Sequence, residues 1–229
     1  LGKEMASEYA KLGAEVYICG RRKSVLDDVQ GVGSKNKLSL LRYFGDVEHI
    51  KKASIKDLIN VNGIGKHKAT AIYNYFQSKI YLQAGDKSKA INILKEVFFS
   101  DDPTYSTLSL FLIMNENLIT DYNELSAMFD HLLANNKFSK EIKNLLIYKK
   151  ALLISSVVDE SKLLESLKPL LNTNTLWKPH ALLLLGDYYV SKEEYIKAKE
   201  FYQKIFIMKN LHSDLYKQAR AKLSVIVNE

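Results

Sequence analysis

Two stretches of this 229-residue chain place a glycine–hydrophobe–glycine turn directly before lysines. The first is Gly31-Val32-Gly33, followed by Ser34, Lys35 and Lys37; the second, thirty-two residues on, is Gly63-Ile64-Gly65, followed by Lys66 and Lys68. Glycines at such a turn permit positive φ and let another backbone approach closely. If a helix opens behind each turn, its unpaired N–H groups and the positive end of its dipole converge at one spot. Such a spot binds phosphate, and the lysines add full positive charge. Two phosphate sites held rigidly apart can grip both strands of a duplex. None of these groups reads base edges, so the expected binding is independent of sequence.

The flanking residues indicate what positions the turns. Leu26 matches Leu58 and Val29 matches Val61, while Leu40, Leu41 and Phe44 match Ile72, Tyr73 and Phe76, so the repeat includes an amphipathic helix behind each turn. Ser24-Val25-Leu26-Asp27 and Ser54-Ile55-Lys56-Asp57 both fit a capping box that starts a short helix ahead of the turn. Val47, Ile50 and Ile55 are expected to join the two units in one small core, with Gly45-Asp46 turning the chain between them.

Residues 24–77 resemble the C-terminal double helix-hairpin-helix domain of the C subunit of the UvrABC excision nuclease. The resemblance rests on Ser24-Val25-Leu26-Asp27-Asp28-Val29-Gln30-Gly31-Val32-Gly33-Ser34-Lys35, on Leu40-Leu41-Arg42-Tyr43-Phe44-Gly45 and on Val61-Asn62-Gly63-Ile64-Gly65-Lys66. It implies docking on duplex or junction DNA in nucleotide excision repair, in a family whose cutting is done by domains that this chain lacks. Gln30 and Asn62 stand where that family often has proline, which loosens the hairpin entry without removing the phosphate site.

Beyond residue 77 helix follows helix, with breaks at Gly85-Asp86, Asp101-Asp102-Pro103, Asn135-Asn136, Val158-Asp159, Asn172-Thr173-Asn174, Ser191-Lys192 and Asn210. Such spacing predicts antiparallel helix pairs. Leu182, Leu185, Gly186, Tyr189, Tyr195, Ala198 and Tyr202 fit the tetratricopeptide pattern of small residues where helices touch and aromatics that fill between them. Tyr81, Gly85, Ala90 and Leu94 give an incomplete second copy. Residues 78–229 resemble tetratricopeptide-like proteins of the YfgM type, on Asp101-Asp102-Pro103-Thr104-Tyr105, Trp177-Lys178-Pro179-His180-Ala181 and Leu184-Leu185-Gly186-Asp187-Tyr188. That likeness implies a protein or peptide partner on the repeat surface. It also carries an alternative: a protein-interaction scaffold of the Sec translocon and periplasmic chaperone type, at the periplasmic face of the inner membrane, with no DNA role.

Ahead of the hairpins, residues 1–23 read as a helix ending at Gly13 and a strand, Ala14 to Gly20, and resemble the start of a short-chain dehydrogenase. The resemblance makes Gly2 the end of a phosphate loop and Arg21 and Arg22 the residues that would favour NADPH. The rest of the sheet is missing, so this Rossmann-like βα fragment is incomplete. No cofactor binding is expected of it, and the strand is poorly anchored, helical, or paired with a second copy of the chain.

Composition agrees with binding rather than chemistry. The net charge is +7, and the first 77 residues hold 13 Lys and Arg against 8 Asp and Glu, so the basic excess sits with the hairpins. The five histidines are scattered, the single cysteine excludes an internal disulfide, and neither metal-ligand spacing nor a P-loop occurs. Tyr75 to Lys79 and Tyr195 to Lys199 mimic a dehydrogenase catalytic pair but fall in other helices. Acid pairs such as Asp101-Asp102 and Glu193-Glu194 fit helix starts. No membrane span or signal peptide is visible. The expectation is an all-α chain, non-enzymatic, without cofactor or metal, cytoplasmic, and divided into 1–23, 24–77 and 78–229. Three partial resemblances end to end, in a chain that starts on leucine, imply a mosaic reading frame, either a fusion or an assembly artefact. One helix from about Lys66 to Ala84 is expected to join the second hairpin to the first repeat.

Overall fold

The computed structural model describes residues 34–208, 211 and 213–227, of which the side chains of residues 34, 35, 37 and 227 are not described. The strand expected at Ala14 to Gly20, the first glycine turn, and Gly2, Arg21 and Arg22 lie outside the described residues. Among the described residues the chain is helical throughout and without strands. It divides into two compact units, Leu1–Ser139 and Lys140–Glu229.

The first unit contains α1 (Ser34–Phe44), α2 (Val47–Lys52), α3 (Ile55–Ile59), α4 (Lys66–Gln83), α5 (Lys87–Phe98), α6 (Pro103–Asn115) and α7 (Tyr122–Asn135). Its hairpin core buries Leu40, Ile50, Ala53, Leu58, Val61, Ile64, Ala69 and Ile72, with Leu41, Phe44, Ile55, Tyr73, Phe76 and Tyr105 packed against them. The repeat partners named from the sequence in α1 and in α4 thus belong to one core. Val47 does not join it. At 44% exposure it faces solvent, because α2 is a short helix that buries Ile50 alone. Gly45, at φ +86°, turns the chain between α1 and α2 as expected.

The anticipated joining helix exists. α4 has 18 residues from Lys66 to Gln83, roughly 27 Å at 1.5 Å per residue. Its first half packs the hairpin core, and its second half pairs with α5 and touches α6. Gly85 stops it in the left-handed region, φ +80°, where Asp86 N donates to Tyr81 O at 2.9 Å and Gly85 N to Leu82 O at 3.0 Å. Asp86 then caps α5 through Lys89 N. One break escapes the sequence reading, between α6 and α7, where Asn117 takes the left-handed conformation at φ +49° and Leu118 N donates to Ile113 O at 2.9 Å. Asn117 is the residue signal for that stop, because asparagine tolerates this conformation better than most side chains.

The second unit contains α8 (Lys140–Ile154), α9 (Glu160–Leu171), α10 (Lys178–Ser191), α11 (Tyr195–Phe206) and α12 (Ser213–Val227). Each helix packs on its chain neighbour, and α10 also meets α8 and α12. At its centre the Tyr202 ring lies against Gly186, where an added Cβ would overlap the ring. The Tyr202 hydroxyl donates to Asp187 at 2.6 Å, and Lys222 reaches the same carboxylate. Burial first, and then this hydrogen bond, push the Tyr202 phenol well above its ordinary pKa. Tyr189 donates to Glu160 at 2.7 Å and also lies under Lys197. Trp177 and Tyr188 are buried, with Trp177 stacked on Tyr148.

The two glycines of the repeat pattern do different work. Gly186 is a close-contact residue inside α10, whereas Gly85 ends α4. Gly186 precedes Ala198 by twelve positions. The same offset from Ala90 leads to Ser78, fully buried on α4 with its hydroxyl turned back to Tyr75 O at 2.7 Å. Leu94 then stands where the second unit has Tyr202. Of the acid pairs, Asp102 caps α6 through Thr104 N and Tyr105 N, both at 3.0 Å. Glu193 instead closes α10 in the left-handed region at φ +61°, a conformation that costs a side-chain-bearing residue roughly 1–2 kcal/mol. Replacing Glu193 by glycine should therefore raise the stability of the second unit by up to about 1 kcal/mol, read as a higher urea midpoint at unchanged m-value.

Candidate nucleic-acid interface

The second glycine turn is built from its own hydrogen bonds and from the helix ahead of it. Ser54 caps α3 by accepting from Asp57 N at 3.2 Å, while the Asp57 carboxylate accepts from Ser54 N at 3.0 Å, the reciprocal capping box expected from the sequence. The Ser54 side chain and then its backbone N–H hold the Asp57 carboxyl below its usual pKa. After Ile59 the chain tightens, with Val61 N donating to Leu58 O at 3.2 Å and Ile64 N to Val61 O at 3.0 Å. Gly63 is the third residue of that last turn, at φ +84°. A side chain there would carry the strain of the left-handed region and would also meet Asn36 Oδ1 at 2.9 Å. This contact sets the beginning of α1, which follows the first glycine turn in sequence, against the second turn.

Gly65 differs from the expectation. Its φ of −78° and ψ of 169° are extended backbone open to any residue, so positive φ does not explain it. A Cβ on Gly65 would meet no protein atom within 4 Å. What glycine provides here is a bare backbone at the surface, where a second molecule can lie against the peptide. Val61 and Ile64 are buried on either side, and their side chains anchor the turn.

Gly65 is also the cap of α4, and it supplies no side-chain oxygen to that helix start. The first intrahelical bond is Ala69 N to Gly65 O at 2.9 Å, which leaves the N–H groups ahead of it without an acceptor inside the helix. Within the same unit α2, α3, α5, α6 and α7 are each capped by an Asp or Ser side chain. The two lysines beyond the turn are not equivalent. Lys66 is exposed and, among the described residues, makes no ion pair. Lys68 is one-third exposed and leans toward Asp102 Oδ2 at 3.8 Å, so part of its charge answers the buried cap of α6. Of the first site, Ser34, Lys35 and Lys37 lie in the first turn of α1 without described side chains, and Gly31, Val32 and Gly33 lie outside the described residues.

Next to the turn, α4 and α5 enclose a cleft of about 540 Å³ lined by Lys66, His67, Thr70, Ala71, Asn74, Glu96, Val97 and Ser100. The sequence gives no warning of it, because Glu96, Val97 and Ser100 of its wall come from outside the repeat. Among the described residues no group of His, Cys, Asp and Glu is placed to hold a metal, and no helix is long and apolar enough to cross a membrane.

The profile of the helix-hairpin-helix motif family matches residues 28–83. Over this part the chain is similar to UvrABC system protein C of Clostridioides difficile, 49% identical over 57 residues that make up 25% of this chain and 9% of that protein. The same protein of Acetivibrio thermocellus is 45% identical over 56 residues, 24% of this chain and 9% of the relative. That of Ruegeria is 35% identical over 79 residues, 33% of this chain and 12% of the relative. The chain thus spans about a tenth of the curated relatives it matches. No solved structure matches it. The family match ends at Gln83, which is also the last residue of α4, so the stretch similar to a helix-hairpin-helix motif closes where that helix does.

Proposed function

We propose that the chain binds duplex or junction DNA through its paired glycine turns, without regard to sequence, in an excision-repair setting. The observation that carries this reading is the start of α4: a bare Gly65 backbone, helix N–H groups with no internal acceptor, and Lys66 without an ion pair, all at one place. This is the arrangement that holds a phosphate. The matches to the helix-hairpin-helix motif and to UvrABC system protein C support the same reading. The site residues are Gly31, Val32, Gly33, Ser34, Lys35 and Lys37 at the first turn and Gly63, Ile64, Gly65, Lys66 and Lys68 at the second. Binding, not catalysis, is the activity, and the compartment is the cytoplasm.

The helices beyond Gln83 serve protein interaction in a tetratricopeptide-like manner. Support comes from Ala90, Ala198 and Gly186, small residues in buried positions, from Tyr202, whose ring fills the space beside Gly186, and from Leu94, buried at the corresponding position of the first unit.

Titration of a fluorescent duplex at several salt concentrations tests the DNA reading. About four neutralised phosphates predict that log K falls with log[salt] at a slope of roughly −3 to −4, with little difference between duplexes of unrelated sequence. Absence of binding at low salt refutes it.

A further inference from the structure

We propose that the cleft between α4 and α5 receives one unpaired nucleotide of the bound DNA and selects a base that carries an exocyclic amino group. This rests on the DNA reading above and adds a second contact to it. The cleft begins where the phosphate site ends: Lys66, the first residue of α4, belongs to both, and His67 follows it on the cleft wall. A strand whose phosphate sits at Gly65 and Lys66 therefore has its adjoining nucleoside at the mouth of the cleft.

The walls are suited to a base rather than to a second phosphate. Ala71 and Val97 are buried and give an apolar floor for the face of a ring. Thr70 and Ser100 have already donated their hydroxyl protons, to Lys66 O at 3.0 Å and to Val97 O at 2.7 Å, so toward the cleft they can only accept. Glu96 also accepts only, and among the described residues it has no ion-pair partner. Asn74, half-buried and equally without a partner, can both donate and accept. A carboxylate here opposes phosphate but matches an amino group. Adenine, cytosine and guanine each present an amino group on the Watson–Crick edge, and guanine adds a ring N–H beside it. Thymine presents no amino group. In a paired base that edge is occupied, so the nucleotide must be unpaired. The cleft volume of about 540 Å³ is within the ordinary range for a small-ligand site.

The test compares the full chain on three short duplexes by fluorescence anisotropy: fully paired, with one extra unpaired dG, and with one extra unpaired dT. The dG bulge should bind roughly tenfold more tightly than the paired duplex, as one good bidentate contact allows, and the dT bulge should bind like the paired duplex. The double variant Asn74→Ala, Glu96→Ala should keep its affinity for paired duplex and lose the dG preference. The ratio of the two affinities is the readout, so any general gain from removing a negative charge cancels. Equal binding of all three DNAs, equal gains for dG and dT, or a dG preference that survives the double variant would each overturn the cleft while leaving duplex binding intact. Failure to bind the paired duplex at all would instead remove the reading on which the cleft depends, and the cleft with it.

Discussion

Gly186→Ala should cost the second unit about 2 kcal/mol, although alanine is the better helix former. Exchanging glycine for alanine inside a helix ordinarily gains 0.5–1 kcal/mol, roughly. Here the new methyl would occupy the space of the Tyr202 ring. The ring is 1% exposed and cannot swing into solvent without breaking its 2.6 Å bond to Asp187, which also holds Lys222. Overpacking of this kind costs roughly 1–3 kcal/mol, and the tethered hydroxyl adds the loss of a hydrogen bond. The measurement is unusually clean, because the chain has one tryptophan and Trp177 is buried in the second unit. Urea unfolding of the full chain followed by tryptophan emission should show a midpoint shift for Gly186→Ala. A companion variant, Gly186→Ala with Tyr202→Leu, should recover part of the loss. An unshifted midpoint in the single variant would contradict the packing described.

The second large effect separates the two lysines beside the glycine turn. Lys66→Glu should weaken duplex binding by roughly tenfold at moderate salt and reduce the salt slope by about one. It should leave thermal stability unchanged, since Lys66 pairs with nothing among the described residues. Lys68→Glu should also weaken binding, but it places a carboxylate beside Asp102, which is 7% exposed and holds the first turn of α6. A further cost on the order of 1–2 kcal/mol to the first unit is expected from that like-charge contact. Binding and thermal unfolding measured on both variants read the difference. Equal destabilisation by the two would mean that the 3.8 Å approach of Lys68 to Asp102 carries no weight.

That difference shows where reading the chain reaches its limit. Lys66 and Lys68 look alike in sequence, both basic and both just inside a helix. Only folding brings the cap of α6 to one of them. Local signals, by contrast, were legible. The Ser54–Asp57 capping box, the shared core of the matched positions Leu40 and Ile72, Phe44 and Phe76, and the unbroken helix from Lys66 all depend on periodicity or on neighbours three to four positions apart. Position 77, the expected end of the hairpin segment, falls inside α4, which carries the repeat pattern and its continuation alike. Ser78 was invisible because it is polar by type and small by function. Its burial is a property of the fold rather than of its residue type. Of the two properties expected of Gly65, positive φ is absent, since its backbone angles are ordinary, while its exposed backbone leaves room for close approach.

The continuity of α4 has a consequence in angular terms. A helix advances by about 100° per residue, so the 18 residues of α4 fix the azimuth of the glycine turn relative to the face that meets α5. Inserting a single residue between Tyr75 and Ser78 would rotate one end by about 100° against the other and lift it by about 1.5 Å, and four residues would nearly restore the azimuth while adding about 6 Å. α4 is therefore a phase standard for the first unit, and its length can change only by about whole turns if the two faces are to keep their bearing.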